Sequence, residues 1–180
     1  MGWESDVFAL LDDLEQQAAA AYDAERLPEI ADRSRAEYQQ VTLAGRLMAS
    51  LDRAVVVTVS GVGAVAGRVD RVATGWCVLG GPAQDWVVRL DAVVAVEGAS
   101  PRAVPEVAWP ATSRLGLGSA LRRLGEAGER CVLHRLDGGQ HDGVVRRVGR
   151  DFVEVDGGAD AGHRLTLLPF AALAAVRGQE

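Results

Sequence analysis

At 180 residues, 48% of them hydrophobic, the chain has room for one domain or two small ones and is too apolar for wholesale disorder. The net charge of −6 is uneven, because residues 1–52 hold eleven acidic residues against four arginines and leave residues 53–180 at +1. All nineteen basic residues are arginine, which together with the Ala, Gly and Val content reads as the coding bias of a GC-rich bacterium. An acidic start, MGWESD, gives no expectation of a secretory leader. The longest apolar stretch, LTLLPFAALAAV, is too short for a bilayer and contains Pro169, so the cytoplasm is the expected location and no membrane partner is expected.

Ser5 is a suitable N-cap for a helix over DVFALLDDLEQQAAAAYDAERL, with Val7, Leu10, Leu11, Leu14, Ala18 and Ala21 on one apolar stripe. Leu27-Pro28 ends it, since proline disfavours helical geometry in the residue before it. A second helix, with or without an interruption, is expected from Pro28 towards Leu51, burying Leu43, Leu47, Met48 and Leu51. The acidity of residues 1–41 fits either a solvated helix face or an interaction arm.

From Val55 the period drops to two. Strands are expected at Val55–Val59, Val65–Val69, Trp76–Val78, Trp86–Leu90 and Val93–Val96, with Gly67 marking a bend in the second. Residues 99–112 hold three prolines and read as a linker. A short helix over SRLGLGSALRRLGEAG comes next, and then the five-strand pattern returns at Val132–Leu136, Gly143–Val148, Phe152–Val155, Leu165–Leu168 and Leu173–Val176. Gly67 lies over Gly143, Trp76 over Phe152, and DAVVAV over AALAAV. The expected class is therefore α+β. An acidic helical segment (1–41) comes first, then a five-stranded antiparallel barrel (42–98), the Pro-rich linker (99–112) and a second such barrel (113–178), each barrel preceded by a short helix. Cys77 and Cys131 fall in strands without a CxxC, so two buried free thiols are expected.

A helix followed by five bent strands, with a glycine inside the second, resembles the Sm-like fold of Sm proteins and Hfq-type RNA chaperones, and more closely a tandem form of it from actinobacteria. Other small SH3-like barrels share the pattern. The resemblance spans residues 42–98 and 113–178 and implies RNA binding and RNA metabolism. It does not carry the base pocket: the Sm aspartate position falls on Ala73 and Gly149, and the asparagine position on Cys77 and Val153. After the fourth strand, Leu90-Asp91-Ala92 and Phe170-Ala171-Ala172 replace the second Sm signature.

Chemistry-bearing residues are sparse. His141-Asp142 sits in a turn, His134 in a strand, and neither these nor His163 shows metal-ligand or triad spacing, so no catalytic residue, metal, cofactor or small-molecule substrate is expected. GLGSALRR lacks the elements of a phosphate-binding loop and reads as a helix entry. The densest basic set is Arg122, Arg123, Arg146, Arg147 and Arg150, a candidate anion or RNA patch. Trp86, at the start of a strand beside Arg89, and Trp109, in the linker, are candidate interface residues. Two functions follow as expectations. One is a non-enzymatic adapter or assembly protein that binds a protein partner or itself through edge strands and helices. The other is an RNA-binding regulator that uses the arginine patch.

Overall fold

In a computed structural model of the chain, the described residues are 7–8, 11–18, 32–157 and 164–178. Ser5, Leu10, Ala21, Leu27-Pro28 and His163 lie outside them. The chain divides into two compact units, residues 1–41 and 42–180. The first has helical stretches at 11–18 and 32–38, the latter braced by surface pairs Arg33–Glu37 and Asp32–Arg35. Of the apolar stripe read from the sequence, Val7, Leu11 and Leu14 are exposed, as is Phe8.

The second unit opens with Thr42, whose hydroxyl accepts from the Gly45 N–H at 3.0 Å and starts helix α1 (Leu43–Met48). This cap is the interruption in the second expected helix. Leu47 and Met48 are buried as expected, while Leu43 and Leu51 are exposed. Ten strands then form where the two-residue period marks them. The first set is β1 (Ala54–Val59), β2 (Gly63–Ala73), β3 (Trp76–Gly80), β4 (Asp85–Arg89) and β5 (Val93–Glu97). After helix α2 (Leu117–Ala127) the second set is β6 (Arg130–Arg135), β7 (Gln140–Val148), β8 (Phe152–Asp156), β9 (Leu165–Pro169) and β10 (Leu173–Gly178).

The two sets repeat in detail. Each has its last strand beside its first, giving the order fifth, first, second, third, fourth. Buried Val55, Val57, Val69, Cys77, Leu79 and Val88 stand where Cys131, Leu133, Val145, Val153, Val155 and Leu168 stand, all buried as well. The second strand of each set bulges past its middle, at Asp70 and at Arg146. Even the turn bonds recur: Ser60 N–H to Ala92 O at 2.8 Å is matched by Leu136 N–H to Ala172 O at 3.0 Å.

What does not form is a pair of barrels. The strands make one open ten-stranded antiparallel sheet in the order β5-β1-β2-β3-β4-β10-β6-β7-β8-β9, which overturns the expectation of two closed five-stranded barrels. Closure within a set needs its fourth strand to pair with its fifth. The single-turn 3₁₀ helix between them (Leu90–Ala92, Phe170–Ala172) instead carries the chain over to the far side of the first strand. The open side of β4 is satisfied by β10 of the other set, through Val88↔Ala175, Val87↔Val176 and Trp86↔Arg177. The polar backbone of a would-be edge is thus paired without closing a barrel.

The expected linker is fixed to the first set. Ser50 Oγ accepts from Ser100 N–H at 2.8 Å and Gly45 O accepts from Val104 N–H at 3.0 Å, and just past the linker Trp76 Nε1 donates to Leu115 O at 2.8 Å. Trp109 packs into the first core, 6% exposed, with its indole N–H on Val104 O at 2.9 Å. Among the described residues, no helix is long and apolar enough to cross a membrane.

The two bend glycines are sites of close approach. A Cβ at Gly67 would lie 2.9 Å from Gly80 O, and one at Gly143 only 2.4 Å from Asp156 O and 2.7 Å from Val155 Cγ1. Gly67→Val and Gly143→Val should each lose roughly 1–3 kcal/mol, the usual range for overpacking, with Gly143→Val the worse. The exposed-strand control Arg71→Ala should stay within about 0.5 kcal/mol. Urea midpoints of the three variants check this, and midpoints at the wild-type value for both glycine variants would contradict the close-approach geometry.

Candidate functional site

The backbone polarity of a sheet edge is the chemistry this fold presents most openly, and the molecule shows the same kind of edge in two states. At the seam between the sets, β4 and β10 cover each other. Leu173, Ala174, Ala175 and Val176 are each 2% exposed or less. At the two ends of the sheet, the equivalent strands have no partner strand on their outer side among the described residues. β5 occupies in the first set the place of β10, and its Val94 and Ala95 are exposed, Val94 by 68%. β9 corresponds to β4, and its Leu165 and Leu167 are 58% and 61% exposed. A groove of about 390 Å³ runs beside β5 and involves Leu43 and Arg46 of α1; another of about 370 Å³ lies beside β9 and involves Leu136, Leu167 and Leu168.

Polar groups reinforce the inner seam. Arg89, at the end of β4, donates from Nη1 to the carbonyls of Phe170 (3.2 Å) and Ala171 (2.8 Å) in the 3₁₀ turn and of Leu173 (3.3 Å), the first residue of β10. Asp91 holds its other Nη at 2.7 Å. On the facing side of the seam, Arg177 of β10 sits over the Trp86 ring, 5.8 Å from its centroid, and donates to Gln84 Oε1 at 3.0 Å. His134 of β6 packs on the same indole, with ring centroids 5.2 Å apart. It is 4% exposed, and neither ring nitrogen has a hydrogen-bond partner. Burial, then the charge of Arg177, hold its proton affinity below the ordinary histidine value.

Of the residues singled out in the sequence, Trp86 lies in this seam and Trp109 lies in the first core. Arg122, Arg146 and Arg147 come together around a depression of about 230 Å³ between α2 and β7, which Glu126 also lines. Arg146 is held there by Asp156 Oδ2, at 2.9 Å from Nη2, a carboxylate that is itself largely buried. Arg123 leans on Glu126 at 3.9 Å, and Arg150 is exposed at the β7–β8 turn, outside the depression. His141 lies 3.3 Å from Arg135, and no group of three or more His, Cys, Asp or Glu among the described residues is placed to hold a metal. Cys77 and Cys131 are buried free thiols, pushed up to about 12 and about 11 by desolvation.

Edge strands are expected from the sequence as an interface, but which strands are left free, and the Arg89 clamp, are not legible in it. Alternation marks a strand but not which strands lack a neighbour, and an arginine at a strand end looks like any other. Replacing Arg89 with methionine should cost about 1.5–3 kcal/mol, the range for a charge-assisted hydrogen-bonding group, because three carbonyls lose one donor. Arg71→Ala serves again as the control, and chemical denaturation reads the difference. A loss no larger than that of the control would mean that the clamp contributes nothing.

No family model matches this chain, and no curated protein does either.

Proposed function

We propose that the protein is a non-enzymatic assembly module that joins copies of itself through its two free sheet edges. The observation that carries this reading is the β4–β10 seam, in which a fourth-type strand pairs with a fifth-type strand. Among the described residues, the same sheet leaves one strand of each type, β9 and β5, unpaired on its outer side at the two ends. Transferring the seam's register to the repeat-equivalent positions sets Ala95 against Leu168, Val96 against Leu167 and Glu97 against Thr166. The contact is heterologous, so successive copies extend the sheet head to tail and end either as a closed ring or as an open filament. Covering Val94 and Leu167 contributes on the order of 1.5–3 kcal/mol for each side chain fully buried. Strand addition also satisfies edge backbone groups that are otherwise left to water.

A second reading, RNA binding, draws support from the convergence of Arg122, Arg146 and Arg147. It is weakened by the engagement of Arg146 with Asp156 and by the net charge of −6. Mobility shift of labelled oligo-U and oligo-A by wild type, absent with Arg122→Ala/Arg147→Ala, would favour it.

Light scattering tests the assembly reading. Wild type should show a mass above that of one chain, rising with concentration. Leu167→Lys blocks β9 and Val94→Lys blocks β5, so each variant alone should fall to the mass of a single chain. Mixed together they should form a species of twice the chain mass, because each still carries one competent edge. A monomeric wild type, or variants that keep its mass, would overturn self-assembly. A mixture that stays monomeric would overturn the head-to-tail arrangement.

A further inference from the structure

We propose that His134 is an acid-sensitive latch on the seam between the two strand sets: a proton on its ring loosens β4 from β10. The inference stands apart from self-assembly, since it concerns the inner seam and not the free edges.

The geometry assembles the parts. In the registers, Arg177 lies opposite Trp86 on one side and Val132 on the other, and Ala175 lies opposite His134. Trp86, Arg177 and His134 therefore share one face, with three strands meeting at one indole. The imidazole and the guanidinium both pack on that indole, at 5.2 Å and 5.8 Å. Both ring nitrogens of His134 and Nε of Arg177 are buried without a hydrogen-bond acceptor. A neutral imidazole tolerates this site as a flat apolar ring. An imidazolium does not, since it is a desolvated cation beside a second cation.

Nothing around the ring compensates. From β10 the charge of Arg177 acts on it, and from β4 the neutral Trp86 packs on it; Gln84, the residue before β4, accepts from Arg177 and brings no charge. From β7 the residue opposite is the neutral Gln140. On its own strand, Arg135 is drawn off to Asp137 and Arg130 to Asp142. Among the described residues no carboxylate pairs with His134 or Arg177. The proton is refused through burial first and the charge of Arg177 second.

The direction in pH follows. The unfolded chain's imidazole takes up a proton near its ordinary value of about 6.5, whereas the folded one takes it up only at lower pH. The seam is therefore at full strength above that value. It weakens as pH falls below it, until the folded ring is itself protonated. One proton of difference changes the unfolding constant by at most about tenfold per pH unit. The loss should begin in the strands that the ring holds together.

The test is urea unfolding of the full chain between pH 8 and pH 5 (roughly the histidine window), with amide exchange read separately for β4/β10 and for β1/β2. Wild type should lose stability on the acid side of about 6.5, with Val87 and Val176 exchanging faster relative to Val57 and Val65 after correction for intrinsic rates. His134→Phe keeps a ring against Trp86 but cannot titrate, so its acid loss should be smaller and its seam protection flat. An acid loss in His134→Phe as steep as in wild type would overturn the latch. Should that variant fail to fold, Arg177→Met replaces it: removing the neighbouring cation raises the folded ring's proton affinity, so the acid loss should still begin at about 6.5 but level off at higher pH and be smaller in total, and a loss as deep as that of wild type would overturn the proposal.

Discussion

The pairing of β4 with β10 is the contact on which the rest of this structure depends. A five-stranded antiparallel set whose last strand lies beside its first has one unpaired edge at its fourth strand and another at its fifth. Each edge exposes a row of backbone donors and acceptors and the apolar side chains next to them. Joining the fourth strand of one set to the fifth of the other covers two of the four edges with a single ladder. It also merges what lies beneath: Ala174 and Ala175 of β10 belong to the core of the first set, and Val87 of β4 packs on the core of the second. The sets are therefore not independent bodies on a tether, even though the chain between them runs through residues 99–112.

The same pairing accounts for the open architecture. The glycines and bulges that bend the second strands are present at matching places, and they supply the curvature a small barrel would use. Curvature alone does not close a sheet. The last step is a choice of partner for the fourth strand, and the 3₁₀ turn after it delivers the fifth strand to the far side of the set. The close approach of Gly61 to the Arg135–Gly138 turn belongs to the same arrangement. With a φ of 71° and a would-be Cβ 2.2 Å from Arg135 O, position 61 takes glycine so that the first hairpin of each set can meet across the seam.

This division also marks what was legible in the chain. Periodicity of two, glycine at 67 and 143, and the alignment of Trp76 with Phe152 are local signals, and the strands and the duplication follow from them. Which edge meets which is decided by contacts such as Val87↔Val176, between residues nearly ninety positions apart, and alternation is blind to that. The candidate site divides in the same way. Trp86 was noticed because an aromatic at a strand start beside an arginine is unusual. Trp109, equally conspicuous in a proline-rich stretch, turned out to be core, because those prolines lay the chain along the first set and not into solvent. Arg146 belongs to the basic set that reads as a candidate anion or RNA patch, although its position at a bulge opposite the end of β8 brings it onto Asp156, and no sequence rule links a bulge to the strand end it faces.

Comparing the inner seam with the outer edges shows how a protein can carry matched edges without locking every copy into an irreversible sheet. Where β4 has Arg89, β9 has Pro169, which has neither a guanidinium to bind the carbonyls ahead of a fifth strand nor an N–H for a ladder. Where the seam sets Arg177 against Trp86, the transferred register sets Glu97 against Thr166, and the cation–aromatic contact has no counterpart. What is left for an outer contact is short stretches of backbone and the exposed apolar side chains Val94, Leu165 and Leu167. The inner pairing is thus clamped at both ends by guanidinium groups, whereas an outer pairing of the same register relies on burial alone. Such a contact responds to concentration far more than to salt, since screening acts on exposed charges and not on apolar area. The acid-sensitive group lies on the clamped side. His134 touches the seam that a single chain cannot do without, so a change in its charge acts on the fold of one copy before it acts on any contact between copies.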